Sequence, residues 1–398
     1  MVTAAKDFLK IYWPLVLVAF AGLVLTLMLM DPAPPKTIRF AAGPPGGAYY
    51  AYAERYQRLL GEQDVNVTLI QTAGSVENLR LLDEGSVDVA LVQGGLATPG
   101  DAETLRSLGG LFHEPFWVFV RDEAGVKEFG QLRDLRMAIG PDGSGTRLLA
   151  LDLQGEFDGV WPAASRNSLT GTAAAGALIE GKLDAAAFAA SPDAAYVQTL
   201  LRAPGISLLP FERAEALSRR QPALAAVVLL RGVVDIGADL PAHDVSLVAP
   251  VAQLVVRKSL HPAIEALLVD SASAIHQDGS LFARAGAFPD PDSTDLPVSR
   301  QVQRYYANGP SFLRRYFSFD LANFLDRAWI LAIPLLTLLF PLVKVAPPIY
   351  RWRVRRKIYI WYKDLRDLES RGRNMPTQEE RTVITDELED LQVEIGAL

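Results

Sequence analysis

Three turns rich in glycine and serine carry the chemistry that this sequence can offer: Gly46-Gly47, Ala73-Gly74-Ser75 and Gly143-Ser144-Gly145-Thr146. Each stands between a predicted strand and a predicted helix. In a parallel α/β sheet such turns sit at the carboxyl ends of strands, where ligands bind. There the unpaired N–H groups and the positive end of the helix favour an anion such as a carboxylate. Taken singly, each glycine is explained by a tight turn; three turns facing one cleft would make a site for a carboxylate or a zwitterion. Arg147, one residue past the third turn, either pairs with a ligand carboxylate through both arms of its guanidinium or stands in solvent. Tyr49 and Tyr50 follow the first turn, and one would cover an organic ligand while the other joins the core. Glu114 has three readings: acceptor for a ligand ammonium, hydrogen-bonding partner across a hinge, or member of a solvated turn.

Other chemistries lack their residues. The four histidines, His113, His243, His261 and His276, are far apart in sequence, so no metal site is expected. There is no Gly-x-Ser-x-Gly, and no serine is followed three positions later by lysine. Gly140-Pro141-Asp142-Gly143-Ser144-Gly145 has the look of a phosphate loop without its lysine. No catalytic residue and no cofactor is expected. The absence of cysteine removes disulfides and thiolate chemistry. With 39 basic against 46 acidic residues and a net charge of −7, nucleic acid is not an expected partner.

The elements that would position the turns follow from hydrophobic periodicity. Thr37 to Ala41 reads as a strand, and Tyr49, Tyr52, Ala53, Tyr56, Leu59 and Leu60 recur at helical spacing. Val65, Val67 and Leu69 alternate as in a strand, Ser75 opens a helix carrying Asn78, Leu79 and Leu82, and Val87 to Val92 is a third strand. A second set follows Trp117 to Val120: a strand at Met137 to Gly140, a helix after Thr146, then Ala173 to Glu180 and Asp184 to Ala189. Alternation of this kind gives a mostly parallel sheet with helices on both faces. The expected fold is therefore α/β with two similar lobes and a cleft between them. Lobe 1 covers about 36–118 and 245–320, and lobe 2 about 121–240, with two chain crossings.

Both ends of the chain read as membrane segments. Ile11 to Met30 holds no charge over twenty residues, long enough as a helix to cross the hydrocarbon layer. Asp31-Pro32-Ala33-Pro34-Pro35 after it is a poor cleavage site, which favours a retained anchor over a signal peptide. A second apolar segment spans 328–349. Lys6 and Lys10 precede the first, and Arg351, Arg353, Arg355, Arg356 and Lys357 follow the second, so both termini are expected in the cytoplasm. Residues 36–327 would then face the periplasm of a bacterial inner membrane, with 1–10 and 350–398 inside. In the tail, Thr377 and Glu380 form a capping-box pattern before a last helix.

At this point the residues resemble a known family, the TAXI class of solute-binding proteins that serve tripartite ATP-independent periplasmic (TRAP) transporters. The resemblance rests on Gly46-Gly47-Ala48-Tyr49-Tyr50, Gly74-Ser75-Val76-Glu77-Asn78-Leu79, the run Gly85 to Gln93 and the run Ile139 to Thr146, in that order. It implies a two-lobed type II periplasmic binding-protein fold that closes on small carboxylate-containing solutes, amino acids or dicarboxylates, and passes them to membrane permease subunits. By position it also implies ligand contacts at Gly47, Ala48, Tyr49, Tyr50, Ser75, Asn78, Gln93, Ser144, Gly145, Thr146 and Arg147. Two features depart from the family: Pro44-Pro45 in the first loop, and Gly94-Gly95 where a polar pair is expected. A third is the architecture, since typical members are soluble whereas this chain has a transmembrane helix at each end and a cytoplasmic helical tail. Those additions leave a second function open, a ligand-sensing receptor that signals through its tail to a partner protein.

Overall fold

The computed structural model describes residues 33–157, 162, 165–309, 361–373 and 377–396, with isolated helical or turn positions within 17–24, 312–325, 340–348 and 355–359. The two expected spans, 11–30 and 328–349, lie largely outside the described residues. Among the described residues no helix is long and apolar enough to cross a membrane. The chain divides into two units, residues 33–319 and a second made of 1–32 with 320–398.

In the larger unit the alternation expected from the sequence is present. The first half contains β1 (Thr37–Gly43), α1 (Ala48–Gly61), β2 (Asn66–Gln71), α2 (Ser75–Asp83), β3 (Val89–Gln93), the single turn α3 (Asp101–Thr104) and β4 (Leu105–His113). The second half contains β5 (Phe116–Arg121), β6 (Met137–Ala138), α4 (Gly145–Glu156), β7 (Arg166–Asn167), α5 (Gly171–Ile179), β8 (Ala185–Ala189), α6 (Ala195–Leu201), β9 (Ile206–Leu208), α7 (Ala214–Arg220) and β10 (Leu224–Leu229). The long strand β11 (Val245–Arg257) then leads back to α8 (Pro262–His276) and α9 (Arg300–Asn308).

Two sheets result. One runs β10-β11-β3-β1-β2, with β4 also paired to β11; the other runs β7-β6-β8-β5-β9. In each, three parallel strands stand in the order second, first, third, and an antiparallel strand (β11 or β5) lies beside the third. This is the arrangement of the type II periplasmic binding-protein fold. Its two halves even repeat a detail. Arg39 reaches Asp88 at 3.1 Å and the carbonyl of Gly85 at 2.9 Å, while Arg136 reaches Asp184 at 2.6 Å and the carbonyl of Gly181 at 3.0 Å. The same Gly-x-x-Asp spacing thus ties the first parallel strand to the third in both lobes.

The chain changes lobes at two places. The first is Glu114-Pro115, between β4 and β5, so that Phe116 to Val120 pair with β8 rather than with the first sheet. The second lies within β11. Val245 to Pro250 pair with β10, and Ala252 to Val256 pair with β3. Accordingly Val245, Leu247, Val248 and Ala249 pack in the core of lobe 2, and Ala252, Leu254 and Val256 in that of lobe 1. The first crossing falls slightly before the boundary expected near 118, at Pro115, which has no N–H and separates β4 from β5. The second falls inside a strand because Pro250 pairs with Leu224 at the very end of the β10 ladder, where its missing donor interrupts nothing. The Glu114 N–H donates to the Pro250 carbonyl at 2.9 Å, which binds the two crossings side by side.

Helix α1 buries Tyr49, Tyr52, Ala53, Tyr56 and Leu60, the face its periodicity marked out. Tyr52 lies 4.8 Å from the ring of His276 on α8, which also stacks on Phe112 at 5.4 Å. The Nε2 atom of His276 is buried without a partner. Burial, aided by Arg55, pushes this imidazole down from 6.5 to about 3. The unfolded chain therefore takes up the proton first; this contribution to stability is full above pH 6.5 and declines toward pH 3. The expected loss is on the order of 5 kcal/mol. Replacing His276 by Phe keeps the ring stack and is expected to flatten the denaturation midpoint across that acid range, as urea titrations at several pH values would show.

In the second unit, residues 361–373 are helical and α10 covers Gln378–Gly396. Its expected capping box is formed: the Thr377 N–H donates to Glu380 at 2.8 Å, and the Glu380 N–H to Thr377 Oγ1 at 3.5 Å. Arg371 bridges to Glu387 at 2.9 Å.

Candidate functional site

Four helices begin at the carboxyl ends of parallel strands and point their first turns at one cavity of about 210 Å³ between the lobes. Helices α1 and α2 come from lobe 1, and α4 and α5 from lobe 2. The lining includes Gly46 to Tyr49, Ala73 to Ser75, Ser144 to Thr146 and Thr170 to Ala173. Helices α1, α2 and α5 have no side-chain cap, so their leading N–H groups are left for whatever enters. In α4 the Ser144 hydroxyl accepts from the Arg147 N–H at 3.2 Å, which still leaves Gly145 and Thr146 uncapped.

The lobes meet closely at these turns. Gly74 has φ +136°, and a Cβ there would stand 3.3 Å from Ser144 Cα across the cleft. A Cβ on Gly145 would come within 2.5 Å of Gln93 Oε1. Glycine at both positions lets the backbone N–H groups of opposite lobes approach. A further bridge joins Tyr52 Oη and Ser191 Oγ at 3.2 Å.

The wall also holds a buried polar chain. The Gln93 N–H donates to Ser75 Oγ at 3.0 Å, Ser75 Oγ to Tyr49 Oη at 3.3 Å, and Tyr49 Oη to Glu114 Oε2 at 2.6 Å. Glu114 is only 2% exposed. Burial pushes its carboxyl up from 4.5 to about 8, against the opposing pull of the Tyr49 hydroxyl. Burial and the neighbouring Glu114 likewise raise Tyr49 and Tyr196 well above the ordinary tyrosine value. Among the described residues no Lys, Arg or His lines the cavity. Its positive potential comes from the helix ends alone, a chemistry that holds an oxyanion by backbone donors. Thr146 Oγ1 accepts from the Ala189 N–H at 3.1 Å and keeps its own proton free to donate. Among the described residues no group of three or more His, Asp or Glu is placed to hold a metal ion.

Of the residues singled out in the sequence, Gly47, Ala48, Tyr49, Ser75, Gln93, Ser144, Gly145 and Thr146 line this cavity. Tyr50, Asn78 and Arg147 do not. Tyr50 faces a neighbouring cleft with Arg55 and Asp193. Arg147 turns back on its own loop, donating to the Gly140 carbonyl at 3.1 Å and pairing with Asp142 at 2.8 Å. Asn78 is fully buried, accepting from Thr72 and donating to the carbonyls of Leu91 and Ala41 at 2.8 and 3.4 Å. It ties the ends of the strands beneath the turns. Replacing it by Leu leaves those groups unsatisfied, at roughly 1–3 kcal/mol each. The expected result is a lower melting temperature with unchanged solute affinity in the protein that remains folded, measured by calorimetry of both.

The turn at Thr170-Gly171-Thr172 was missed. Its signal was present as a Thr-Gly-Thr run ahead of a helix, but the strand before it, β7, is only two residues long and shows no alternation. Phe188 and Tyr196 also line the cavity without a sequence signal of their own.

Residues 40–265 match the NMT1-like family. Among solved structures, a protein from Bordetella bronchiseptica RB50 is similar at 16% identity over 61% of this chain and 72% of that one, with a TM-score of 0.43. An ancestral arginine-binding protein bound to arginine has 14% identity over 62% and 95% of the two chains, with a TM-score of 0.38. The alkanesulfonate-binding protein SsuA from Xanthomonas axonopodis pv. citri bound to MOPS has 16% identity over 61% and 75%, with a TM-score of 0.40. Such likenesses say nothing of what this chain binds. The family match extends over more than half of the sequence and takes in both lobes, both crossings and all four turns; this chain belongs to the NMT1-like family.

Proposed function

We propose that this chain is a solute-binding protein of the TAXI class, tethered to the bacterial inner membrane at both ends, which captures a small carboxylate-containing metabolite and delivers it to a TRAP-type permease. It binds rather than transforms its solute. One observation carries the reading: helix N-termini from both lobes converge on a single cavity whose wall among the described residues carries no basic side chain. Backbone dipoles in that arrangement grip a carboxylate, and lobes joined by two crossings can close over it. The order of the turn motifs supports the TAXI assignment. The uncharged segments 11–30 and 328–349 with their basic flanks support the tether, which would hold the protein at high effective concentration near a permease.

Thermal melts of the purified full-length chain test the reading, with small mono- and dicarboxylates set against the uncharged amides of the same skeletons. A ligand that binds only the folded state raises the melting temperature. At least one carboxylate is expected to do so while its amide does not. Equal shifts with acid and amide, or no shift with any carboxylate, would overturn it.

A further inference from the structure

Glu114 is the one carboxyl group on the cavity wall among the described residues. It sits at the first crossing, and its backbone is fixed by the bond to the Pro250 carbonyl. The polar chain that ends on it has a fixed direction. A backbone N–H, Gln93, stands at its head and can only donate, so Ser75 and Tyr49 each pass a proton forward, and Glu114 Oε2 can only accept. The last link, 2.6 Å, has the length of an O–H···O⁻ bond. The Tyr49 hydroxyl favours a carboxylate there, burial opposes one, and among the described residues no cation stands beside the group to balance a charge.

The titratable side chains that act on or beside it are Tyr49 and Tyr52 from α1 and Tyr196 from α6. The ring of His113, next in sequence, packs edge-on against Phe288 at 5.2 Å. A carboxyl buried without a counter-charge holds its proton, and a ligand cation brought beside it drives the proton off.

We propose that Glu114 receives an ammonium group carried by the solute, so that the site selects amino-acid-like zwitterions over dicarboxylates and oxo acids, and that capture releases one proton to solvent. The carboxylate of the zwitterion takes the helix N-termini, and its ammonium takes the place of the proton on Glu114. This inference rests on the capture reading above and chooses among the solutes that reading allows.

Titration calorimetry of the full-length protein at pH 7, in two buffers of different ionisation enthalpy, tests it. The probes are the common L-amino acids and the 2-oxo acids of the same carbon skeletons. The tightest amino acid is expected to bind about 30-fold or more tightly than its oxo acid, the difference made by one partner of a buried charge pair. Its heat is expected to vary with buffer as proton release requires. Glu114→Gln is expected to erase both the preference and the buffer dependence, with a cooperative melting transition showing that the variant is folded. Oxo acids binding as well as amino acids, or amino acids binding without proton release, would overturn the inference and leave the capture reading standing. Failure of both series to bind would overturn the inference, while the capture reading would stand or fall on the melts with the other carboxylates. The comparison within the unmodified protein decides the matter even if the variant does not fold.

Discussion

Gly74→Val is expected to abolish solute capture while leaving both lobe cores intact. At φ +136° and ψ −156° the residue lies in a region that only glycine occupies comfortably, and forcing another side chain there costs on the order of 1–3 kcal/mol. The larger effect is steric. The new Cβ would meet the Ser144 backbone of the opposite lobe at 3.3 Å, and the branches beyond it have nowhere to go except by parting the two turns. The N–H groups of α2 and α4 then no longer face the same point, and the grip of two lobes falls to that of one. Affinity should drop by about 100-fold or more, as loss of several charge-assisted hydrogen bonds implies. Small-angle scattering with the solute present should show a more extended particle than the unmodified protein. Undiminished affinity in a folded variant would mean that the lobes need not meet at this point.

The second large effect concerns Glu114 and stability in the absence of solute. Its folded value of about 8 lies above the ordinary 4.5, so the unfolded chain gives up the proton first as pH rises. This contribution to stability is present below 4.5 and is lost progressively toward 8, by up to roughly 5 kcal/mol. Glu114→Gln removes the titration and is expected to be more stable than the parent at pH 8, with the gap narrowing toward pH 5. The effect runs opposite to that of His276, whose window lies between about 3 and 6.5. Urea denaturation of the parent, Glu114→Gln and His276→Phe across both windows separates the two. A parent protein as stable at pH 8 as at pH 5, with Glu114→Gln unchanged, would refute the assignment. A group that destabilises the empty protein and improves the loaded one is what a binding site retains at the expense of the fold.

Much of this was legible in the sequence. The alternation of strands and helices, the buried face of α1 and the Thr377 capping box follow from short-range pattern, and the structure reproduces them. The first two turns were recognisable because each follows a strand long enough to show its period, and the third because its Gly-Ser-Gly-Thr run stands out even though β6 before it has only two residues. The fourth follows a two-residue strand that only its neighbours define. Side-chain direction was less accessible. Ser75 and Asn78 lie on one helix three residues apart, yet one faces the cavity and the other the sheet. Arg147 is satisfied by its own loop, a choice made by the local backbone rather than by residue type. Glu114 had several readings because its environment comes from residues distant in sequence, Tyr49 and Pro250 among them. Sequence cannot express a desolvation that is assembled in three dimensions.

The duplicated tie of Arg39 to Asp88 and of Arg136 to Asp184 braces each half of the molecule at the same relative place. Each jaw contributes two dipole ends, so the two share the work of holding a guest. A guest that has lost one jaw still rests in the other with half its anchorage, so unloading becomes a matter of prying rather than of melting any part of the receptacle.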